Sequence, residues 1–457
     1  MKTILVTGSN GLLGQKITSR LLSDKQFHLV ATAKGMNRFP LKEGYTYAEM
    51  DILDPARVLS VIEQYKPDAI IHTAAMTNAD TCETEKEQAY QLNVEAVKTM
   101  LSLCEKYHIQ FVHLSTDFIF DGANGPYDEM AAPNPLSYYG NTKLEAEEVI
   151  KSSTCRWVIL RTVLVYGILD DMSRSNIVLW AKNALETKTP ISVVDDQWRT
   201  PTLAEDLADC CLLAVEKDVR GVYNACGKDM MRIVELVYRI ADFWDLDKSF
   251  ITEISSASLN QPAKRPVRTG LILDKAIAEL GYDPHSFEEG LAVLDQQIIN
   301  NTHMALKAGD RAPDFKLFSS ELKEVTLGDF KGKKVVLQFF PMAFTGVCTT
   351  QLCTMRDSFG FYQGMNAEVL ALSVDSPFTL AKFKEEQFYQ FPLLSDFNKE
   401  ISQAYDAFYE EFAYNLKGVS KRAAFVIDEE GKIIYAEVLA SAGDLPDFDA
   451  IKKILEA

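Results

Sequence analysis

The amino-acid sequence predicts two consecutive α/β domains, the first built on a doubly wound parallel sheet. The chain has 457 residues, 47% of them hydrophobic, which is more than one domain usually holds. A β-branched run at Thr3–Thr7 leads through a glycine-rich turn into an apolar-periodic helix, as in the opening of a βαβ unit. After residue 303 the pattern starts afresh, with a buried strand predicted at 335–340 that runs into a loop and a helix.

Composition and charge argue against several classes of function. A formal net charge of -18 disfavours non-specific binding to nucleic acid or to an anionic membrane, since either requires a basic face. No apolar run is long enough to span a bilayer, and the first residues lack the cleavage region of a signal peptide, so a cytoplasmic location is expected. The eight cysteines have no zinc-type spacing, and no metal site is predicted.

The turn after the first strand predicts a Rossmann-type dinucleotide site. Gly8, Gly11 and Gly14 let the backbone approach a pyrophosphate at a helix N-terminus, where free N–H groups and the helix dipole favour negative charge. The expected cofactor contacts are these glycines and the residues among them, Asn10, Leu12 and Leu13.

The residues after the next strand, predicted at 28–32, favour NADP(H) over NAD(H). An acidic residue that would bind a free ribose 2′-hydroxyl is missing there, and Lys34 and Arg38 follow instead. Such a cationic pair favours a 2′-phosphate, although two ordinary loop cations would give the same pattern. A further strand is predicted over 69–75. Additional cofactor contacts are expected from residues at or after the later strands, namely Asp51, Ile52, Ala74, Ala75 and Asn93.

A Tyr-x-x-x-Lys pair supplies candidate catalytic groups. Tyr139 and Lys143 share one helix face, so the ammonium can favour the ionised phenol. Thr116 ends a strand predicted over 111–116 and would meet a substrate carbonyl there. Hydride delivery to a ketone leaves negative charge on oxygen, which Tyr139 can protonate while Thr116 donates a hydrogen bond. The spacing alone is also typical of a solvated helix surface.

These segments together resemble an extended short-chain dehydrogenase/reductase, and within that class the dTDP-4-dehydrorhamnose reductase family. The resemblance runs from Met1 to about Asn300, and its motifs are the glycine turn, Ser115–Gly122, Pro126–Tyr127, Tyr139–Lys143, Asp196–Thr202, Lys264–Pro266 and Leu273–Asp274. It implies Thr116, Tyr139 and Lys143 as catalytic residues, Asp117 in the substrate site, and reduction of a 4-keto nucleotide sugar.

Two features leave alternatives open within that resemblance. The family's usual Gly-Gln-Leu-Gly is replaced by Gly11-Leu12-Leu13-Gly14, so the particular nucleotide sugar is undetermined. Related proteins include a non-catalytic regulatory subunit, and a regulatory or scaffold module that binds NADP(H) is therefore the alternative. The intact set of Thr116, Tyr139 and Lys143 disfavours it.

A smaller substrate lobe is expected mainly from about residue 173 onward. The segment Asp196–Pro201 brings carboxylate, amide and guanidinium groups together, and Arg199 is a candidate clamp for a sugar-nucleotide phosphate. A purely structural turn fixed by Pro201 explains the same residues equally well.

The boundary between the domains is expected at His303–Met304, giving domains 1–303 and 304–457. Met304 resembles an initiator methionine, and the junction resembles a cloning-site scar. A natural gene fusion would need no special linker, so both origins stay open.

The second domain carries a candidate nucleophile, Cys348. This cysteine follows a Pro/Gly-bearing loop and opens a helix, whose N-terminus stabilises a thiolate. Pro341-x-x-x-Thr345-x-x-Cys348, the Ala312–Phe315 opening and the Lys421–Asp428 strand resemble the peroxiredoxins, over nearly all of the chain after Met304. This implies a thioredoxin fold and peroxide reduction, with Thr345 binding the peroxide and Arg422 holding the thiolate.

Cys353 is the candidate resolving thiol, as in peroxiredoxins of the Q type. On an intact helix, residues five apart are separated by a rise of about 7.5 Å, so a disulfide would require local unwinding. The alternative is a packed Cys353 and reduction of Cys348 by an external, thioredoxin-like thiol. An NADPH-fed peroxidase would need a flavin relay that the sequence does not indicate. Both families often self-associate, so a homo-oligomer is a further expectation.

Overall fold

The chain divides into two compact units. A computed structural model describes residues 1–24, 26–169, 176–304 and 306–456. The first unit is Met1–Ile298 and the second is Ile299–Ala457. The predicted start of the substrate lobe near residue 173 lies outside the described residues. The predicted junction at His303–Met304 falls within the helix Phe287–Met304.

The first unit contains the following regular elements. Its strands are β1 Lys2–Thr7, β2 Phe27–Ala33, β3 Thr46–Glu49, β4 Ala69–His72, β5 Gln110–Thr116, β6 Arg156–Thr162, β7 Val165–Tyr166, β8 Ile191–Val194, β9 Trp198–Arg199, β10 Thr202–Leu203, β11 Gly221–Asn224, β12 Met231–Arg232 and β13 Ile251–Ile254. Its helices are α1 Leu12–Ser23, α2 Pro55–Tyr65, α3 Ala79–Thr84, α4 Lys86–Tyr90, α5 Ala96–Tyr107, α6 Tyr138–Ser152, α7 Ile177–Glu186, α8 Ala204–Glu216 and α9 Ile233–Phe243. A further helix, α10 Phe287–Met304, begins in this unit and ends after Ile298, within the second unit. Short 3-10 segments occur at Asp117–Ile119, Lys248–Phe250 and Ser256–Ser258, and π-helical segments at Gln91–Glu95 and Ala276–Leu280.

A seven-stranded parallel sheet forms the centre of this unit, in the order β11-β6-β5-β4-β1-β2-β3. Apolar clusters cover both of its faces, as expected for strands that are hydrophobic along their whole length. The predicted doubly wound sheet is thereby confirmed. A third apolar cluster holds the smaller lobe, where α7 and α9 pack with the two-stranded pair β8/β13.

The strand predicted over 69–75 is shorter than expected. β4 ends at His72, and the Thr73 hydroxyl then donates a hydrogen bond to the carbonyl of Thr7 at 2.6 Å. This bond turns the chain across the end of β1, so Ala74 and Ala75 lie beyond the sheet and not in it.

The second unit is organised around a mixed sheet. Its strands are β14 Lys316–Ser319, β15 Glu324–Thr326, β16 Lys334–Phe339, β17 Ala367–Ser373, β18 Leu393–Ser395, β19 Phe408–Phe412, β20 Leu416–Ser420, β21 Ala423–Ile427 and β22 Ile433–Val438. Its helices are α11 Gly346–Asp357, α12 Phe359–Gly364, α13 Pro377–Gln387, α14 Glu400–Ala404 and α15 Phe448–Glu456, with 3-10 segments at Leu327–Phe330 and Ala413–Asn415. The sheet order is β15-β14-β18-β17-β16-β21-β22, parallel at β16/β17 and β17/β18 and antiparallel elsewhere.

Among the described residues, none of the helices combines the length and apolar character needed to cross a bilayer.

Candidate active sites

A cavity of about 740 Å³ lies in the first unit, at the edge where β1, β4 and β5 end. Its wall combines residues of the glycine turn, β5 and α6 with residues of the smaller lobe. Open α/β sheets bind their ligands at this edge. Of the residues predicted from the sequence, those in the wall are Gly11, Leu12, Leu13, Gly14, Ala75, Thr116, Asp117, Tyr139, Lys143 and Arg199.

The glycine turn brings the start of α1 close to the end of β1. α1 begins at Leu12, and no acidic residue stands in its first turn. A Cβ atom on Gly14 would lie 2.3 Å from the carbonyl oxygen of Gly8, so glycine alone permits this approach. A helix N-terminus that is free of negative charge and borders the cavity fits a pyrophosphate group.

The remaining predicted cofactor residues lie outside the cavity wall. Gly8 lies against the backbone of Ala74 behind the turn, and Ile52 is buried in the core. Asn10 accepts a hydrogen bond from the backbone N–H of Arg38 at 2.9 Å, which ties the turn to the segment after β2. Asn93 donates hydrogen bonds to the carbonyl of Met76 and to the hydroxyl of Thr142, and so connects the segment after β4 to α6.

The predicted cationic pair after β2 is arranged differently from the expectation. Lys34 forms an ion pair with Asp51 at 2.8 Å, and its side chain is 81% exposed. This hydrogen bond raises the pKa of Lys34 and lowers that of Asp51. Arg38 is exposed on the same segment. Asp51, which the sequence predicts at the adenine edge, therefore forms its ion pair with Lys34.

Thr116 and Tyr139 come together because α6 starts close to the end of β5. Ser137 caps α6 by accepting a hydrogen bond from Gly140 N at 3.2 Å. A Cβ atom on Gly140 would lie 2.2 Å from the carbonyl oxygen of Phe118, so glycine is required for this contact. Tyr139 is buried, which raises its pKa, while the Thr116 hydroxyl acts in the opposite direction. The phenol is consequently protonated at neutral pH.

Lys143 of α6 contacts a histidine of β5. Its Nζ lies 3.0 Å from His113 Nε2. Burial lowers the pKa of Lys143 to about 8, although the Glu147 carboxylate opposes this shift. Burial of the phenol is the main cause of the raised pKa of Tyr139, and the influence expected of Lys143 on that phenol stays a prediction.

A buried ion pair that the sequence did not reveal fixes α6 to the sheet. Glu147 accepts hydrogen bonds from Arg161 of β6 at 3.0 and 2.7 Å and from the Ser115 hydroxyl of β5 at 2.7 Å. Burial opposes ionisation of Glu147, but Arg161 and Lys151 together outweigh it and lower the pKa to about 2. Glu147 follows Lys143 by one helical turn, so this ion pair fixes the part of α6 that carries Tyr139 and Lys143.

Asp117 and Arg199 meet on the side of the cavity formed by the smaller lobe. Asp117 accepts hydrogen bonds from Thr116 at 3.1 Å and from Thr269, and the Nε atom of Arg199 lies 3.8 Å away. Burial raises the pKa of Asp117, and Arg199 opposes that shift. The Nη atoms of Arg199 donate to backbone carbonyls, including that of Pro266 at 2.7 Å. These bonds agree with the interpretation of Asp196–Pro201 as a structural turn, in which Arg199 holds the backbone.

The second unit places Cys348 near the start of α11. The loop after β16 contains Pro341, and Thr345 precedes the helix and donates a hydrogen bond from its hydroxyl to Met342 O at 2.9 Å. Asp375, missed from the sequence, accepts a hydrogen bond from Ala343 N at 2.8 Å and so pins the loop. Cys348 is buried and its thiol is free.

Arg422 reaches Cys348 from the sheet. Its Nη2 atom lies 3.6 Å from Cys348 Sγ and donates to the carbonyl of Ala442 at 2.8 Å. Its Nη1 atom donates to Gln351 Oε1, and Gln351 Nε2 donates to Gln338 Oε1 at 2.8 Å. The two buried glutamines were not found from the sequence, because nothing local marks a Gln within a strand or helix as part of a site.

Cys353 lies on α11 beside a different set of groups. Its Sγ is 3.9 Å from both Gln387 Oε1 and Tyr389 Oη, and it is half-buried with a free thiol. The role predicted for Cys353 stays a prediction. In the described segments, no group of three or more His, Cys, Asp or Glu side chains is arranged to hold a metal ion.

Comparison with known proteins agrees with this division. Residues 1–299 match the family model described as RmlD substrate binding domain, and residues 308–436 match the AhpC/TSA family. The chain is 30% identical over 296 residues to the probable low-salt glycan biosynthesis reductase Agl14 of Haloferax volcanii, covering 64% of this chain and 96% of that protein. It is 31% identical over 259 residues to methionine adenosyltransferase 2 subunit beta of Xenopus tropicalis, covering 55% of this chain and 75% of that protein.

A solved structure shares the fold of the first unit. The dTDP-4-dehydrorhamnose reductase of Clostridium acetobutylicum superposes with a TM-score of 0.58 at 27% identity, covering 65% of this chain and 99% of that one. The predicted fold class, a Rossmann-like domain followed by a thioredoxin-type α/β domain, is confirmed. The chain therefore belongs to the RmlD family through residues 1–299 and carries, joined to it, a domain of the AhpC/TSA peroxiredoxin family at residues 308–436.

Proposed function

We propose that the first domain reduces the keto group of a nucleotide sugar with NADP(H). The observation that carries this proposal is the convergence of Thr116, Tyr139, Lys143 and the glycine turn on one cavity of about 740 Å³. That volume suits a nicotinamide and a sugar lying side by side. A bound NADPH would supply a hydride to the keto carbon, and the protein groups would manage the charge left on oxygen.

Tyr139 is the proton donor in this proposal. Because burial raises its pKa, the phenol carries its proton at neutral pH and can give it to the keto oxygen. Thr116 donates a hydrogen bond to the same oxygen, which stabilises the charge that develops before protonation. Lys143, whose pKa is about 8, is mostly cationic at pH 7 and would hold the nicotinamide ribose. Asp117, joined to Arg199 and Thr269, would orient the sugar hydroxyls.

NADPH rather than NADH is proposed from the segment after β2. Lys34 and Arg38 are exposed there, and the Lys34–Asp51 ion pair fixes one of the two cations beside the end of the strand. A cation that bonds to a 2′-phosphate contributes about 1.5–3 kcal/mol, or roughly 10- to 100-fold in affinity. Arg38→Ala should weaken NADPH binding by that factor and leave NADH binding unchanged. Equal effects on both cofactors would favour the interpretation as ordinary loop cations.

The substrate class follows from likeness and is tested by turnover. The relatives named as a glycan biosynthesis reductase and a dTDP-4-dehydrorhamnose reductase support a 4-keto-6-deoxy nucleotide sugar. NADPH oxidation should therefore depend on a dTDP-4-keto-6-deoxy sugar and be lost in Tyr139→Phe. The matched control is Cys348→Ser, which removes the other domain's nucleophile and should leave this reaction intact. NADPH binding without turnover of this or related sugars would instead indicate a regulatory or scaffold module.

We propose that the second domain reduces hydrogen peroxide and organic hydroperoxides through Cys348. The thiolate attacks one peroxide oxygen, the O–O bond breaks, and a sulfenic acid forms while the other oxygen leaves as water or an alcohol after protonation. Arg422, 3.6 Å from the sulfur, would stabilise the charge, and Thr345 would bind the peroxide. Cys353 or an external thioredoxin-like thiol would then condense with the sulfenic acid to a disulfide, and a further thiol would restore Cys348. This cycle requires a reducing compartment such as the cytoplasm, where thiols persist.

A further inference from the structure

A histidine behind the catalytic helix is the feature that the proposed mechanism has not used. His113 lies on β5 and is 1% exposed. Its ring stacks on that of His72 of the adjacent strand β4 at 5.7 Å and on that of Phe111 of the same strand at 6.0 Å. Its Nε2 atom lies 3.0 Å from the Nζ of Lys143, which is itself buried.

The chemistry of the two groups fixes the direction of this hydrogen bond. An ammonium group only donates, so the neutral ring accepts at Nε2 and carries its own proton on Nδ1. That Nδ1 is buried and finds no hydrogen-bond partner among the described residues. A buried donor without a partner is destabilising, so this arrangement lowers the stability of the fold. An apolar side chain would avoid the cost but would give Lys143 nothing to bind.

Other titratable groups near Lys143 act differently. Glu147 on the same helix raises the pKa of Lys143 through its charge, but its carboxylate oxygens are bonded to Arg161, Lys151 and Ser115. His72 on β4 is bonded through Nδ1 to the Thr7 hydroxyl at 2.8 Å. Tyr139 precedes Lys143 by one turn. Among the described residues, His113 is thus the group that accepts a hydrogen bond from Lys143 Nζ.

We propose that His113 is a positioning residue for the reductase, which accepts a hydrogen bond from Lys143 and thereby keeps its ammonium charged and directed along the cavity wall. This inference rests on the proposed reductase function. His113 does not line the cavity, so it acts on the reaction only through Lys143.

Two amide substitutions of His113 form a matched test. In His113→Gln the carbonyl oxygen reaches the place of Nε2 and can accept from Lys143, whereas in His113→Asn it reaches only the place of Nδ1. The charge state of Lys143 is read without turnover, from the pH dependence of its competitive labelling by acetic anhydride, measured by mass spectrometry on the full chain. The alkaline limb of kcat with the keto sugar is measured beside it.

The Asn variant should lower the labelling midpoint of Lys143 by about one pH unit, the shift expected from loss of one hydrogen bond to a charged group. With a starting pKa of about 8, the charged fraction at pH 8 then falls about five-fold, and kcat falls with it. The Gln variant should keep the wild-type midpoint. His113→Leu should lower the labelling midpoint as His113→Asn does. If the Leu variant does not fold, the comparison of His113→Gln with His113→Asn still tests the proposal.

Identical midpoints in all variants would overturn the role of His113. If the wild type oxidises no NADPH with any keto nucleotide sugar, the proposed function fails, yet the labelling midpoint still reports whether His113 governs Lys143. The two failures are therefore distinguishable.

Discussion

Removing the charge of Glu147 should strongly destabilise the first domain. Glu147 and Arg161 have side-chain exposures of 0% and 2%, and two hydrogen bonds join them. Glu147→Gln leaves the guanidinium buried without its counter-charge, a change that costs about 3–5 kcal/mol. The pKa gives a similar figure: its fall from 4.5 to about 2 corresponds to about 3 kcal/mol.

The assay uses a property of the sequence. All four tryptophans lie in the first domain, at Trp157, Trp180, Trp198 and Trp244, so tryptophan fluorescence during urea unfolding follows that domain alone. The midpoint should fall in Glu147→Gln with little change in slope. Because the pKa of Glu147 is depressed, its contribution exists above pH 4.5 and is lost as the pH falls toward 2. The difference between wild type and variant should therefore shrink over that range.

A double substitution provides the control. Glu147→Leu with Arg161→Met removes both charges and keeps similar volumes, and replacing a whole buried pair in this way is often neutral. The double variant should be more stable than the single one. A single variant within about 0.5 kcal/mol of wild type, the range of ordinary surface changes, would refute the reasoning, as would a double variant less stable than the single.

Four further outcomes are expected. Gly14→Ala should raise the Kd of NADPH by more than about 10-fold, because its Cβ would meet the Gly8 carbonyl at 2.3 Å; unchanged titration would contradict this account of the turn. Arg422→Met should slow peroxide consumption about 100-fold or more, since it removes the donor 3.6 Å from Cys348 Sγ, and stopped-flow rates check this. Gln351→Leu should slow it less than Arg422→Met does, because Gln351 acts through Arg422; an equal or larger loss would mean that Gln351 contacts the peroxide itself. Cys353→Ser should leave the first peroxide turnover unchanged and let dimedone trap the Cys348 sulfenic acid, whereas a normal intramolecular disulfide in mass spectra of that variant would exclude Cys353 as the resolving thiol.

Much of the fold could be predicted because its signals are local. The glycine turn, the buried strands and the loop before Cys348 each show their residue pattern within a dozen positions. The ends of parallel strands meet at one sheet edge, so Thr116 and Tyr139 could be placed together without knowing how the strands were ordered. Arg422 was assigned to Cys348 by the resemblance to the peroxiredoxins alone.

The supporting groups could not be predicted, since their partners are distant in sequence. His113 reads as one more residue of a buried strand, and only the packing of α6 on β5 puts Lys143 against it. Glu147 and Arg161 each look like ordinary charged residues until β6 and α6 come together. Arg199 shows the same limit: its sequence context fits a phosphate clamp and a structural turn equally, and only the fold shows that carbonyls far along the chain accept hydrogen bonds from its Nη atoms.

The most direct test of the whole account is NADPH oxidation by the full chain, offered a dTDP-4-keto-6-deoxy sugar in one reaction and hydrogen peroxide without any added thiol in another. Two separate active sites predict oxidation with the sugar and none with the peroxide. Sustained consumption of peroxide at the expense of NADPH alone would contradict that account, because it would mean that electrons pass between the two domains.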